Sequence, residues 1–217
     1  MQRAEIIQRT INFVQQTLAD SESGHDWWHI FRVWTMSKTL QQKEGGDLFI
    51  IELAALLHDI ADWKLNDGKE EEGYRTIEKW LGEVGLDDHN IEMIIVIIRE
   101  VSFKGADVKT PMSSLEGKIV QDADRLDAIG AIGIARAFAY GGNRNRMIYD
   151  PGVQAEMHQS FAAYKKAEGT TVNHFYEKLL LLKERMNTAT AKEIAAERHA
   201  FMETFLERFY REWEGKL

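Results

Sequence analysis

The sequence predicts an all-α protein. Three observations carry this. Apolar residues recur every three or four positions along most of the chain, glycines punctuate the joins between the periodic stretches, and Ser/Thr-x-x-Glu capping patterns open two of them.

Taken in order, Ile6, Ile7, Ile11, Val14 and Leu18 mark one face of a first helix. His25 to Leu40 reads as a second and Leu48 to Ala61 as a third, with Gly45-Gly46 at the join. Tyr74, Ile77, Trp80 and Leu81 define a fourth, closed by Gly82 and Gly85 as C-cap candidates. The run IEMIIVIIREV that follows Asp87-Asp88 is apolar on every side. Its Ile and Val content suits a buried strand. Helical neighbours and the lack of a strand partner favour a central buried helix. Ser113 with Glu116 opens a helix through Asp127, and Thr190 with Glu193 opens the last helix. Met202, Phe205, Phe209 and Trp213 form a stripe on that last helix and read as core packing. GGNRNRMIYDPG, from Gly141 to Gly152, reads as a loop.

A chain of 217 residues makes one large domain or two small ones. Its 44% apolar and 29% charged residues are those of a globular protein with a sufficient core of its own. The absence of cysteine excludes disulfides, thiolate zinc sites and thiol nucleophiles, and fits a reducing cytoplasm. A net charge of −8 is not the footprint of a nucleic-acid-coating protein, so no nucleic-acid partner is expected. The N-terminal stretch lacks the apolar core of a secretory signal, and the run Ile94 to Ile98 is far short of the roughly 20 residues that span a bilayer. The expectation is a cytoplasmic protein with no membrane partner.

The candidate chemistry lies in two clusters. His89, His158, His174 and His199 stand apart and read as surface or packing residues. His25 and His29 share a helix face with Arg32. His58-Asp59 closes the apolar stretch AALL, and Asp62 follows on the same face. Burying such a pair costs several kcal/mol unless it is partnered or metal-bound. Asp122, Asp124 and Asp127 fall close together in an apolar segment. Either a divalent cation or arginine partners relieve their repulsion, or they form a solvated turn paired with Arg125.

The order of His29, His58-Asp59 and Asp124, set in HIFRV, ALLHDIAD and QDADRLDAIG, resembles the H…HD…D signature of the HD-domain superfamily of helical, metal-dependent phosphohydrolases. GHDWWHIFRVW, SFKG, QDADRLDAIGAIGIARAFAYGG and YDP resemble a bacterial YpgQ/YedJ-like subgroup of that family. The resemblance implies one HD-type helical bundle over residues 1–217, with a core at about 24–142 and additional C-terminal helices at about 153–217. It implies that His29, His58, Asp59 and Asp124 hold one divalent ion. Two imidazoles and two carboxylates suit Mn²⁺ first, with Fe²⁺, Ni²⁺, Zn²⁺ or Mg²⁺ as alternatives.

Around that ion, His25 and Asp26 either orient ligands or cap a helix, and Asp62 either positions the attacking water or pairs with Lys64. Lys64, Lys104, Arg144 and Arg146 are the candidate phosphate-binding cations. The implied reaction is pyrophosphohydrolysis of nucleoside or deoxynucleoside triphosphates by a metal-activated water. Phosphomonoester or phosphodiester hydrolysis and a non-catalytic nucleotide or metal sensor are the alternatives. The implied partner is a small nucleotide or other phosphorylated metabolite, and the protein itself is a monomer or a homodimer.

Overall fold

A computed structural model of the protein describes residues 2–19, 26–61, 70–101, 110–156 and 169–216. Among these, every regular element is helical: α1 (Arg3–Thr17), α2 (Trp27–Glu44), α3 (Leu48–Leu57), α4 (Glu70–Glu83), α5 (Asp88–Val101), α6 (Leu115–Asp127), α7 (Gly130–Asn143), α8 (Asn173–Glu177), a 3₁₀ turn (Leu179–Arg185) and α9 (Ala189–Trp213). No described helix is long and apolar enough to cross a membrane. The described residues fall into two compact units. One holds those of Met1–Phe103 and Thr110–Ala123, the other those of Asp124–Leu217, so the division falls inside α6. The sequence-based reading is a single domain with a core at about 24–142 and a C-terminal extension at about 153–217. Contacts group α7 with the C-terminal helices because α7 packs on α9.

In the first unit the central helix is α3. Eight of its ten residues, from Phe49 to Leu57 apart from Glu52, are buried, and α1, α2 and α5 pack around it. A helix apolar on all sides is stable only when surrounded in this way. α5 is helical, as the pattern favoured, but it is not the central helix. Ile94, Ile95, Ile97, Ile98 and Val101 are buried while Val96 is 38% exposed. The β-branched run therefore covers one side of the core, and packing overrides its strand propensity. α1 meets α4 through Phe13 stacked on Trp80 at 4.3 Å, and Trp80 Nε1 donates to Thr10 Oγ1 at 3.1 Å.

Helix ends differ from expectation by small steps. Gly82 lies within α4, and only Gly85 takes a positive φ, of 84°, after its end. α6 is capped by Ser114, whose Oγ accepts from Gly117 N at 3.0 Å. Ser113 instead bonds Glu100, and Glu116 accepts from Asp47 N. α9 is capped by Thr188 rather than Thr190, with Ala191 N donating to its Oγ1. In each pair of neighbouring hydroxyl residues, tertiary placement of the entering chain selects the cap.

In the second unit Phe175 is fully buried between Phe138 and Phe205. Met202 is buried as the α9 stripe predicts, but Trp213 is 52% exposed and its ring packs on Tyr149 and Phe209. The Gly141 loop begins later than the pattern suggests, because α7 continues to Asn143.

Candidate metal centre

Asp26 ends the approach to α2 in an extended conformation, and its carboxylate accepts from His29 N at 2.9 Å. This N-cap places His29 in the first turn of α2, on the buried side with Ile30 and Val33. α3 stops at Leu57, so His58 and Asp59 occupy the turn that follows it. Because α2 packs on α3, the start of one helix meets the end of the other.

There, three side chains converge. His58 Nε2 lies 3.3 Å from His29 Nε2, His29 Nε2 lies 3.3 Å from Asp59 Oδ2, and His58 Nε2 lies 3.5 Å from Asp59 Oδ1. All three residues are buried, at 2%, 7% and 7% exposure for His29, His58 and Asp59. Among the described residues this is the one group of three or more such side chains whose donor atoms converge as metal ligands would. His58 Nδ1 is 2.8 Å from the carbonyl of Ala55. A carbonyl only accepts, so Nδ1 carries the proton and Nε2 turns its lone pair toward the cluster.

The donor set fits a divalent ion. Ligand distances of about 2.0–2.2 Å set neighbouring donor atoms about 3–3.5 Å apart, and the observed spacings fall in that range. Gathering two imidazoles and a carboxylate away from water is costly without a cation to share.

The other sequence candidates are placed as follows. Asp124 is half-buried in the last turn of α6. Asp122 is fully buried, and Asp127 is buried and paired with Arg136 Nη1 at 2.5 Å. The expected charge partner Arg125 donates to the Arg185 carbonyl. Arg136 gave no signal in sequence, because its contact with Asp127 depends on the turn between α6 and α7. Arg144 and Arg146 sit with their guanidiniums 5.5 and 5.8 Å from the Tyr140 ring centre, at the end of α7. His25, Asp62, Lys64 and Lys104 lie outside the described residues. Of the two roles weighed for Asp26, the cap is the one seen.

A helical unit in which a histidine from one helix meets a His-Asp pair at the end of another defines the HD class. The HD-domain family model matches residues 27–129. The uncharacterized protein YpgQ of Bacillus subtilis (strain 168) is 41% identical over 212 residues, covering 94% of this chain and 91% of its own. An HD-superfamily hydrolase from Bacillus thuringiensis superposes with a TM-score of 0.79 at 45% identity, over 99% of this chain and 100% of its own. A Lactobacillus plantarum structure reaches a TM-score of 0.87 at 37% identity over the whole of both chains. B. subtilis YpgQ in complex with ADP gives 0.74 at 38% identity, over 98% of this chain and 97% of its own. The chain belongs to the HD-domain family of metal-dependent phosphohydrolases.

Proposed function

We propose that this protein hydrolyses nucleoside or deoxynucleoside triphosphates to a monophosphate and pyrophosphate. The observation that carries the reading is the buried convergence of His29, His58 and Asp59. Nucleotide as the ligand class is supported by the ADP complex of the related YpgQ. In this reading Asp124 is the fourth ligand and Mn²⁺ the ion. A divalent ion here supplies Lewis acidity, polarising the phosphoryl group and lowering the pKa of water.

The residues of the chain do the rest. The Ala55 carbonyl holds the His58 tautomer, so its Nε2 stays a donor of electrons and not of a proton. Asp26 holds the first turn of α2 and with it the His29 ring. Asp59, flanked by both imidazoles, brings negative charge that offsets part of the cation's. His25 is assigned to orienting the ligands and Asp62 to placing the attacking water. Lys64, Lys104, Arg144 and Arg146 are assigned to the phosphates, where each charge-assisted contact strengthens as charge develops on the phosphoryl oxygens. With an overall charge of −8, the chain suits a small phosphate ligand neutralised locally better than a nucleic acid. The setting proposed is cytoplasmic.

The test is a screen of Mn²⁺-loaded protein against the four ribo- and four deoxyribonucleoside triphosphates, with phosphate and pyrophosphate measured separately. Pyrophosphate and monophosphate in equal amounts are expected. Release of phosphate alone would replace this reading with stepwise hydrolysis of the terminal phosphoanhydride. Binding without turnover would make the protein a sensor.

A further inference from the structure

The last three carbonyls of α6 have identifiable donors. Arg125 O accepts from Ala128 N at 3.2 Å. Leu126 O accepts from Ile129 N at 3.3 Å and from Arg198 Nη1 at 2.5 Å. Asp127 O accepts from Arg136 Nη1 at 3.4 Å. The end of a helix otherwise leaves such groups without intrahelical partners, and cations there complement the helix dipole. Two of the donors are guanidiniums from other helices, Arg136 on α7 and Arg198 on α9.

These two arginines differ. Arg136 also pairs with the Asp127 carboxylate at 2.5 Å. Arg198 instead directs its hydrogen bond to main chain. Burial holds its guanidinium below the ordinary arginine value, and the Asp127 charge opposes that shift. Desolvating a cation to bond a carbonyl stabilises less than an apolar side chain of the same size would. What the contact secures is the location of one backbone atom. Gly130 fits the same arrangement. Its φ is +76°, and a Cβ there would lie 3.0 Å from Arg198 Cγ and 3.1 Å from Arg198 Cβ. The stem of Arg198 therefore lies against a glycine at the start of α7, while its head holds the end of α6.

We propose that Arg198 is a positioning residue for Asp124: by bonding the Leu126 carbonyl it fixes the last turn of α6, which carries Asp124. This rests on Asp124 being a ligand, as proposed above.

The experiment measures Mn²⁺ affinity of the full-length protein by electron paramagnetic resonance, below the melting transition, for wild type, Arg198→Met, Arg198→Lys, Asp124→Ala and Arg208→Ala. Arg208 lies on the same helix, paired with Glu212 on the surface, and serves as control. Arg198→Met is expected to weaken Mn²⁺ about 10–100-fold, the usual range for loss of a group that orients a ligand. Arg198→Lys keeps the charge on a different head and is expected to lose about 3–10-fold, as the two cations are not interchangeable at a fixed contact. Arg208→Ala should bind as wild type.

A merely stabilising arginine would lower the melting temperature and leave the Mn²⁺ affinity of the folded protein unchanged. That outcome in Arg198→Met overturns the proposal. If Arg198→Met does not fold, wild-type affinity in Arg198→Lys overturns it equally. Asp124→Ala separates the two levels. Lost affinity there with wild-type affinity in the Arg198 variants sinks only the role of Arg198, whereas unchanged affinity in Asp124→Ala sinks the ligand assignment as well.

Discussion

Two helix C-termini carry three of the four proposed ligands, His58 and Asp59 after α3 and Asp124 in the last turn of α6, and they are closed in different ways. At the end of α3 the closure is local: His58 Nδ1 reaches the Ala55 carbonyl three residues back, and Ile60 N reaches Leu57 O. At the end of α6 part of the closure is remote, with Arg136 nine residues on and Arg198 72 residues on. The α3 end can form its geometry from a dipeptide and one helical turn. The α6 end needs two later helices in place. A ligand at a locally closed end is tied to its own helix, whereas one at a remotely closed end couples the metal site to the packing of distant segments.

The largest expected effect lies at the local end. Asp59→Ala removes a donor and leaves the bond from His58 to the Ala55 carbonyl in place. Turnover in excess Mn²⁺ should fall by more than about 100-fold, beyond the usual cost of losing a group that merely orients a ligand. Far-UV circular dichroism and the thermal melt should stay close to wild type, since removing a carboxylate leaves little apolar cavity. A folded variant with near-normal turnover would remove Asp59 from the ligand set, and an unfolded one would mean that this end is not self-sufficient.

Arg136→Met strikes the remote end. It leaves Asp127, with a side chain only 6% exposed, short of its partner, while Arg136 itself is 26% exposed. Breaking a buried pair from one side typically costs several kcal/mol, and partial exposure of the arginine reduces this to about 2–3 kcal/mol. Chemical denaturation reads the difference. Loss under about 0.5 kcal/mol would show that the α6 end is held by other contacts.

Glu71→Gln sets the baseline for a guanidinium pair that closes no helix end. Arg99 forks onto Glu71 at 2.7 and 3.1 Å across α4 and α5, on the surface. The hydrogen bond from Arg99 holds the Glu71 carboxyl below its usual value. A depressed carboxylate contributes stability above its unfolded value and loses that contribution as pH falls through the lowered one. The melting difference between wild type and Glu71→Gln should therefore be small at neutral pH and vanish in acid. A difference that grows on acidification would reverse the sign and rule out this pair as its source.

The parts of the site that were legible in sequence are those with short-range causes. His29 was marked by its helix face and by HIFRV, and His58-Asp59 by standing at the end of an apolar run. The Ile-rich segment is helical because its neighbours are helices and, among the described residues, no strand partner is at hand to pair with its β-branched residues. Its place in the fold did not follow, since which apolar helix lies at the centre depends on how many others pack on it. The caps moved from Ser113 to Ser114 and from Thr190 to Thr188 for a similar reason. A hydroxyl caps only when the entering chain turns at that residue, and Ser113 is instead taken by Glu100.

By itself the sequence determined the all-α class, the approximate span of most helices, the lack of thiol chemistry and the His and His-Asp pieces of the metal centre. The class, the helix spans and the lack of thiol chemistry follow from periodicity and composition, and the pieces of the metal centre from the resemblance that HIFRV and ALLHDIAD carry. Tertiary structure alone decided that α3 is the central helix, that the Ala55 carbonyl fixes the His58 tautomer against His29, and that Arg136 and Arg198 close the end of α6. Most of these contacts join residues far apart along the chain. The tautomer's bond is short in sequence, yet its consequence appears only when α2 brings the second imidazole to it. Hydrophobic burial brings such segments together without regard to their spacing in sequence, and polar groups then take the partners that the packing leaves within reach.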